Sequence, residues 1–196
     1  QFSAKENCVP QFNVKVPTTE ILQFNFVPSL HKESWANRQI FPTGIYYKHL
    51  EPLLVEVFSC ESKSVWSIQI GTYSDDVIQP TYFRYPINCK PGKYLLLAPA
   101  TGNVYVSCQG DLATSLTVRF SSPCLKQTDT TVDFVEKSTY VTSESEYVDY
   151  GSKTVWASIP RKNFDRNAIG RIWPHLEKVV QAAYDFKGIR IARPVY

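Results

Sequence analysis

The sequence predicts a mainly β protein with a C-terminal α/β segment: an antiparallel β-sandwich followed by a strand and an amphipathic helix. Leu53, Val55 and Val57 alternate with a second set that includes Glu56, and the apolar residues of 66–70 alternate with Ser67 and Gln69, which is the period-two pattern of half-buried strands. Short apolar segments then recur about every ten residues as far as Phe120, with turn-forming residues between them. From Trp173 onward the apolar residues change to helical spacing.

The strands of the predicted sandwich follow from the same alternation. We interpret Pro42-Thr43-Gly44 as a turn that leads into a strand over residues 44–47. Further strands are expected over residues 12–16, 21–27, 94–98, 104–108 and 115–120. The composition becomes polar after Pro123, so we divide the chain into an N-terminal edge segment (1–36), a β-sandwich domain (37–122) and a connector with an opening strand and helix (123–196).

The last predicted elements are a strand over residues 154–159 and the helix. Trp173-Pro174 is expected to open the helix, because proline is tolerated in a first helical turn. We expect Asp165 to cap a shorter helical turn before it, and Gly188 to end the helix. Four residues at helical spacing form one apolar face: Leu176, Val179, Val180 and Ala183.

The bulk composition excludes some classes of function. The net charge is +3 with no basic block, which argues against a nucleic-acid-binding protein. No run of about 18 apolar residues is present, so we expect no membrane span. The chain begins at Gln1 and contains no methionine, which we interpret as a processed chain or a fragment.

The cysteines indicate an oxidising compartment. No Cys-x-x-Cys pair is present, so zinc-ribbon and thioredoxin patterns are absent. We expect two disulfides and a secreted protein, with buried free thiols as the alternative. The odd number leaves one thiol free or bonded outside the chain; the disulfide candidates are Cys8, Cys60, Cys89, Cys108 and Cys124.

Catalytic and metal-binding patterns are sparse. His49 and His175 are each followed two residues later by glutamate, but a zinc peptidase helix needs two histidines four residues apart. Asp75-Asp76 favours a turn over a calcium site, because calcium needs more oxygen ligands than this pair supplies. The sequence therefore predicts no catalytic residue and no metal ligand in this chain.

A cluster of aromatic residues in a proline-rich region is the candidate binding site. Aromatic side chains can stack on sugar rings or anchor a protein partner. The alternative is that they only cover one end of the sandwich. The candidate residues for glycan or partner binding are Tyr82, Phe83, Arg84 and Tyr85.

The segment PTGIYY at 42–47, followed by LLVEV and then SIQIGTYSDD, resembles the N-terminal β-sandwich of the enhancin-like, mucin-degrading zinc metallopeptidases, and the resemblance covers most of residues 37–196. The family typically shows an arginine, a Thr-Gly-(Ile/Leu)-Tyr turn and strand, a hydrophobic strand and then an Ile-Gly-x-(His/Tyr)-(Thr/Ser)-Asp sequence. Matching residues are Arg38, Thr43, Gly44, Ile45, Tyr46, Ile70, Gly71, Tyr73, Ser74 and Asp75. Arg84-Tyr85-Pro86 resembles the family's Arg-x-Pro, and Gly102 stands where the family usually has two glycines. Residues 154–160 and 173–188 resemble the strand and helix that open the family's catalytic domain.

The resemblance implies a secreted protein that acts on mucin-type or other glycosylated proteins, with a sandwich that helps to position the substrate. It implies zinc held by a His-Glu-x-x-His motif, which this sequence lacks, so no zinc ligand or general base is assigned to any residue. The expected partners are the remainder of the same precursor and a glycoprotein or mucin substrate. The alternative is a stand-alone glycan- or protein-binding module without peptidase activity.

Overall fold

Eleven strands and one α-helix make up the described part of the chain. The structure is a computed structural model that describes residues 17–28, 38–61, 64–71, 83–127, 145–151 and 155–186. The strands are β1 (Leu22–Phe26), β2 (Arg38–Tyr47), β3 (Leu53–Cys60), β4 (Val65–Ile70), β5 (Phe83–Pro86), β6 (Gly92–Leu96), β7 (Gly102–Gln109), β8 (Thr114–Ser121), β9 (Lys126–Gln127), β10 (Tyr147–Gly151) and β11 (Trp156–Pro160). The helix is α1 (Arg166–Phe186), and a single 3-10 turn, Arg161–Asn163, precedes it.

The first nine strands form two antiparallel sheets. One sheet has four strands in the order β1-β8-β3-β6, and the other has five strands in the order β5-β4-β7-β2-β9. Val57 of β3 pairs with Val118 of β8, and Ile68 of β4 pairs with Val106 of β7. The predicted antiparallel β-sandwich followed by a helix is confirmed. Strands β10 and β11 form a separate hairpin, which lies between the sandwich strands and α1 in the sequence.

The inner faces of the two sheets pack into one apolar core. Phe24 of the four-stranded sheet lies against Phe41 of the five-stranded sheet, with ring centroids 5.4 Å apart. Phe41 also stacks on Trp66 at 6.1 Å, and Trp66 is completely buried. Because truncating a buried aromatic side chain to alanine typically costs about 3–5 kcal/mol, this row of rings contributes strongly to holding the layers together.

The predicted alternation in β3 is confirmed. Leu53, Val55 and Val57 are buried in the core, whereas Leu54 and Glu56 lie half-exposed on the outer face. Successive side chains of a strand point to opposite faces of its sheet, which is why the pattern identifies the core residues directly.

The interpretation of Pro42-Thr43-Gly44 as a turn is wrong. β2 continues through this segment, and its register with β7 shifts between Pro42 and Ile45, which makes the segment a bulge. Gly44 has a φ of 72°, a backbone conformation that favours glycine. The Thr43 hydroxyl donates to the carbonyl of Val104 at 2.6 Å and so satisfies an acceptor beside the shifted register. The turn-forming residues therefore serve an irregularity within the strand.

The helix begins earlier than the sequence predicted. α1 starts at Arg166, and Pro174 lies inside it instead of opening it. The Asp165 carboxylate accepts hydrogen bonds from the backbone N–H of Asn167 at 2.9 Å and from that of the following residue at 3.2 Å. Asp165 is thus the N-terminal cap of the whole helix and not of a separate shorter turn, because it satisfies N–H groups that have no partner within the helix.

The two sheets also draw strands from outside residues 37–122. β1 pairs with β8, and β9 pairs with β2. The division of the chain into three parts stays a prediction. Several other predicted features lie outside the described residues: the strand over 12–16, Cys8, Asp75, Asp76, Tyr82 and Gly188.

One disulfide joins the end of β3 to the loop between β5 and β6. It links Cys60 to Cys89, with 5.0 Å between their Cα atoms. Cys108 and Cys124 are free thiols, so neither contributes to the expected second disulfide. Cys108 lies in the core, where burial raises its pKa to about 12, and there it acts as a small apolar side chain.

Replacing the disulfide should destabilise the chain measurably. We expect Cys60→Ser with Cys89→Ser to lower the free energy of unfolding by about 3 kcal/mol, because the crosslink restricts the unfolded chain over a separation of 29 residues. Urea unfolding checks this. The control Cys124→Ser, at an exposed free thiol, should change stability by less than about 0.5 kcal/mol. Equal stability of the double variant and the control would contradict the assignment.

Candidate functional site

The outer face of the five-stranded sheet is polar and yet buried. In β4 and β7 the residues that alternate with the core residues are polar, and few of them reach solvent. The buried members are Ser67, Gln69, Asn103, Tyr105 and Ser107. A buried polar face needs hydrogen-bond partners from a covering layer, because unpaired polar groups are costly away from water.

The β10–β11 hairpin supplies part of that covering layer. Trp156 of β11 stacks on Tyr105 with ring centroids 5.9 Å apart. Together with Ile40 of β2 they form a small apolar cluster, separate from the core of the sandwich. The hairpin is therefore packed against the sandwich, on the side opposite the four-stranded sheet.

A buried carboxylate, Asp149 of β10, lies at this contact. Its Oδ1 accepts hydrogen bonds from the hydroxyl of Tyr105 at 2.9 Å and from that of Ser158 at 2.6 Å. Its Oδ2 accepts from the Asn103 amide at 3.2 Å. Asp149 is only 1% exposed. These neutral donors come from both the sheet and the hairpin, so the carboxylate links the two layers.

The polar cluster extends to the entry and exit of the hairpin. The Ser145 hydroxyl lies 2.5 Å from Oδ1 of Asn103 and 2.7 Å from the carbonyl of Tyr147. Arg161, which follows β11, donates from Nε to the carbonyl of Ser145 at 2.8 Å. Both ends of the hairpin are thus tied to the same cluster.

The environment of Asp149 opposes its charge. Burial raises its pKa from 3.8 to about 6, and the hydrogen bonds from Ser158, Tyr105 and Asn103 act in the opposite direction. A catalytic base must reach a substrate proton, and this carboxylate is closed to solvent. The arrangement therefore holds the hairpin in place.

The predicted aromatic cluster is divided by the geometry of β5. Phe83 and Tyr85 lie opposite Ile70 and Ile68, on the core side of the sheet, whereas Arg84 lies on the other side. Tyr85 packs against the core, and burial raises its pKa. Phe83 is 41% exposed at the edge of the sheet. The role of this cluster in binding stays a prediction.

No group of three or more metal-ligating side chains is brought together among the described residues. His49 and His175 are both exposed, His49 after β2 and His175 within α1. Within the same part of the chain, no helix is both long enough and apolar enough to cross a membrane.

Helix α1 has an apolar surface that the described structure leaves exposed. Trp173 anchors the helix by an edge-on contact with Tyr150 of β10, with centroids 5.1 Å apart. Exposed apolar residues lie beside this anchor at helical spacing: Ile172 is 63% exposed, Leu176 39% and Val179 65%. We call these three residues the exposed helix stripe.

Comparisons with known proteins give a fold and no family. No protein-family model matches the chain, and no curated protein matches it. A variant of a conserved protein of unknown function from Bacillus anthracis is similar in structure, with a TM-score of 0.57 and 11% identity; the match covers 86% of this chain and 37% of that one.

The IMPa metallopeptidase from Pseudomonas aeruginosa is similar with a TM-score of 0.52 and 10% identity, over 85% of this chain and 20% of that one. The same metallopeptidase in complex with T-antigen gives a TM-score of 0.50 and 10% identity, and this match covers 79% of this chain and 20% of that one. This chain therefore shares a fold with parts of larger proteins, and it spans between 20% and 37% of the length of these structures.

The buried carboxylate of Asp149 makes the free energy of unfolding depend on pH. The folded chain holds the Asp149 proton with a pKa of about 6, against 3.8 for an unperturbed aspartate. The resulting stabilisation is complete below pH 3.8 and is lost as pH rises through about 6, by at most about 3 kcal/mol. Asp149→Asn should remove this decrease between pH 4 and 7.

Urea unfolding across this pH range provides the measurement. The asparagine variant places an amide donor near Asn103, so its absolute stability is lower, and the informative quantity is the slope of stability against pH. Asp185→Asn, at an exposed residue of α1, should keep the slope of the unaltered chain. An unchanged slope in Asp149→Asn would refute the assignment of the pH dependence to this carboxylate.

Proposed function

We propose that this chain is a non-catalytic N-terminal portion of a secreted enhancin-like zinc metallopeptidase that acts on mucin-type or other glycosylated proteins. In this proposal the sandwich helps to position the substrate, and the zinc and its ligands belong to the remainder of the precursor. Secretion agrees with the Cys60–Cys89 disulfide, because disulfides persist in oxidising compartments.

The observation that carries the proposal is the extent of the match to the IMPa metallopeptidase. The match covers 85% of this chain, more than the sandwich domain alone, and only 20% of that structure. The order of motifs from Arg38 to Pro86 supports the same reading from the sequence.

The exposed helix stripe supports the proposal independently. Ile172 and Val179 each leave most of their surface in solvent, on a helix whose packed side is occupied by Trp173. Amphipathic helices gain most of their stability by packing an apolar face against another layer. A larger catalytic part would supply that layer.

The direct test measures zinc and proteolysis in the native polypeptide that contains this sequence. We expect about one zinc ion per polypeptide and hydrolysis of an O-glycosylated mucin that stops when the zinc is chelated. The recombinant 196-residue chain is the control and should do neither. If the mature native protein has a mass of 22.4 kDa with no zinc and no associated chain, the proposal fails.

The stripe generates a second test. Ile172→Ser with Val179→Ser should change the stability of the 196-residue chain by less than about 1 kcal/mol, because both side chains are exposed. In the longer native polypeptide the same change should cost about 3 kcal/mol, since it removes two buried apolar side chains.

The matched control for the stripe is His175→Ser with Lys178→Ser, two exposed polar positions of the same helix. This control should be neutral in both proteins when unfolding is followed in urea. An equal effect of the stripe variant in the short and long proteins would show that no further layer packs there.

The second candidate function is a stand-alone glycan- or protein-binding module. The exposed Phe83 on an edge strand favours it, because aromatic side chains on an accessible edge suit sugar stacking or a partner. This module would bind on a mucin-glycan array without any associated peptidase. Binding would be lost when Tyr82 and Phe83 are replaced by alanine.

A further inference from the structure

A shallow cavity of about 210 Å³ lies on the outer face of the four-stranded sheet, away from the hairpin and from β5. Leu54 of β3 and Leu95 of β6 line it as adjacent residues of paired strands, and Pro52 and Pro123 contribute further apolar surface. The cavity is smaller than the about 300–1,000 Å³ typical of sites for drug-sized ligands. Its size suits a single sugar ring.

A row of three charged side chains crosses the sheet at this cavity. Arg119 of β8, Glu56 of β3 and Lys93 of β6 lie in register on neighbouring strands. Nε of Arg119 donates to Oε2 of Glu56 at 3.1 Å, and Nη2 contacts the same oxygen. Nζ of Lys93 lies 3.6 Å from Oε1 of Glu56.

The row keeps an excess of positive charge, because two cations share one carboxylate. The arginine is also held from a second side, since its guanidinium lies 5.3 Å from the ring centroid of Phe58. Lys93 is about half exposed and can turn toward a ligand. In the described part of the chain, Arg119 uses Nε and Nη2 for Glu56, which leaves Nη1 as a donor.

Hydroxyl groups complete the wall. Thr18 and Ser121 line the same cavity and lie opposite each other as an isolated bridge pair. The cavity thus combines a leucine floor for the C–H face of a ring, hydroxyls and a carboxylate for ring hydroxyls, and two cations for an acid group. Cross-strand ion pairs also occur on sheet surfaces that bind no ligand. This row differs from them because its three side chains also line a cavity.

We infer that this cavity binds a carboxylate-bearing sugar, with Lys93 and Arg119 contacting the carboxylate and Leu54 and Leu95 supporting the ring. The inference deepens the proposed function, on which its biological meaning rests: an acidic sugar of a glycosylated substrate would be held by the sandwich. The binding itself requires only the 196-residue chain.

The test compares glucuronate with glucose, which differ in the carboxylate. Amide NMR titration of the 196-residue chain should show glucuronate binding in the millimolar range, with shifts at residues 54, 56, 93 and 119. Glucose should bind at least about fivefold more weakly, and acetate, which lacks the ring, should also bind more weakly.

Two variants separate charge from shape. Lys93→Gln should weaken glucuronate binding about two- to fivefold, as expected for one half-exposed ion pair. Leu95→Glu, at a residue 42% exposed, should abolish it by placing a carboxylate at the floor. Lys178→Gln, on helix α1, is the control and should bind like the unaltered chain.

The inference is overturned if glucose or acetate binds as well as glucuronate, if Lys93→Gln has no effect, or if no shift appears at the cavity. The zinc content of the native protein, and the loss of proteolysis when zinc is chelated, are measured independently of this cavity. A negative sugar titration with an active zinc enzyme therefore rejects the sugar site alone, and binding without zinc in the native protein rejects the peptidase alone.

Discussion

The carboxylate of Asp149 joins the β10–β11 hairpin to the outer face of the five-stranded sheet, and its hydrogen-bond partners among the described residues are neutral donors. Burying a charge in this way is unfavourable unless hydrogen bonds offset the lost hydration. Three donors do so here, from Tyr105 and Asn103 on the sheet and from Ser158 on the hairpin. Removing one of these donors leaves part of the buried charge of Asp149 without a hydrogen-bond partner. Protonating Asp149 removes that charge and so lowers the cost of burying the group. The attachment of the hairpin therefore depends on whether the Asp149 carboxylate keeps all of its hydrogen bonds.

The rest of the C-terminal part is attached through the hairpin. Tyr150 follows Asp149 in β10 and contacts both Phe164 and Trp173, so the start of α1 is positioned by the same strand that carries the buried carboxylate. Beyond Trp173 the helix presents apolar residues to solvent. The hairpin covers part of the outer face of the five-stranded sheet, whereas the outer face of the four-stranded sheet carries the charged row and the cavity. The two sheets thus have separate roles, one in attachment and one in a proposed contact with ligand.

The alternation of apolar residues was sufficient to predict the sandwich and most of its strands, because the inner face of each sheet obeys it directly, but the short strands β5 and β9 were not predicted. It failed at Pro42-Thr43-Gly44, where turn-forming residues build a bulge inside β2. It also could not identify the buried polar face, since polar residues opposite a core look like residues in solvent. The cavity was equally hidden: Glu56, Lys93 and Arg119 are far apart in the sequence, and only strand register places them in one row. Asp165 was recognised as a cap, but the helix it caps is the long one, because Pro174 is accommodated within it.

The contacts of Asp149 and Trp156 with Tyr105 make the hairpin a docked layer of the sandwich and not a loosely attached extension. Native-state hydrogen exchange measures this most directly, because amides exchange according to the free energy of local opening. We expect the backbone amides of Val148 and Trp156 to be protected nearly as strongly as that of Tyr105 in β7. Exchange of the hairpin amides at rates close to those of an unfolded chain, while Tyr105 stays protected, would contradict it.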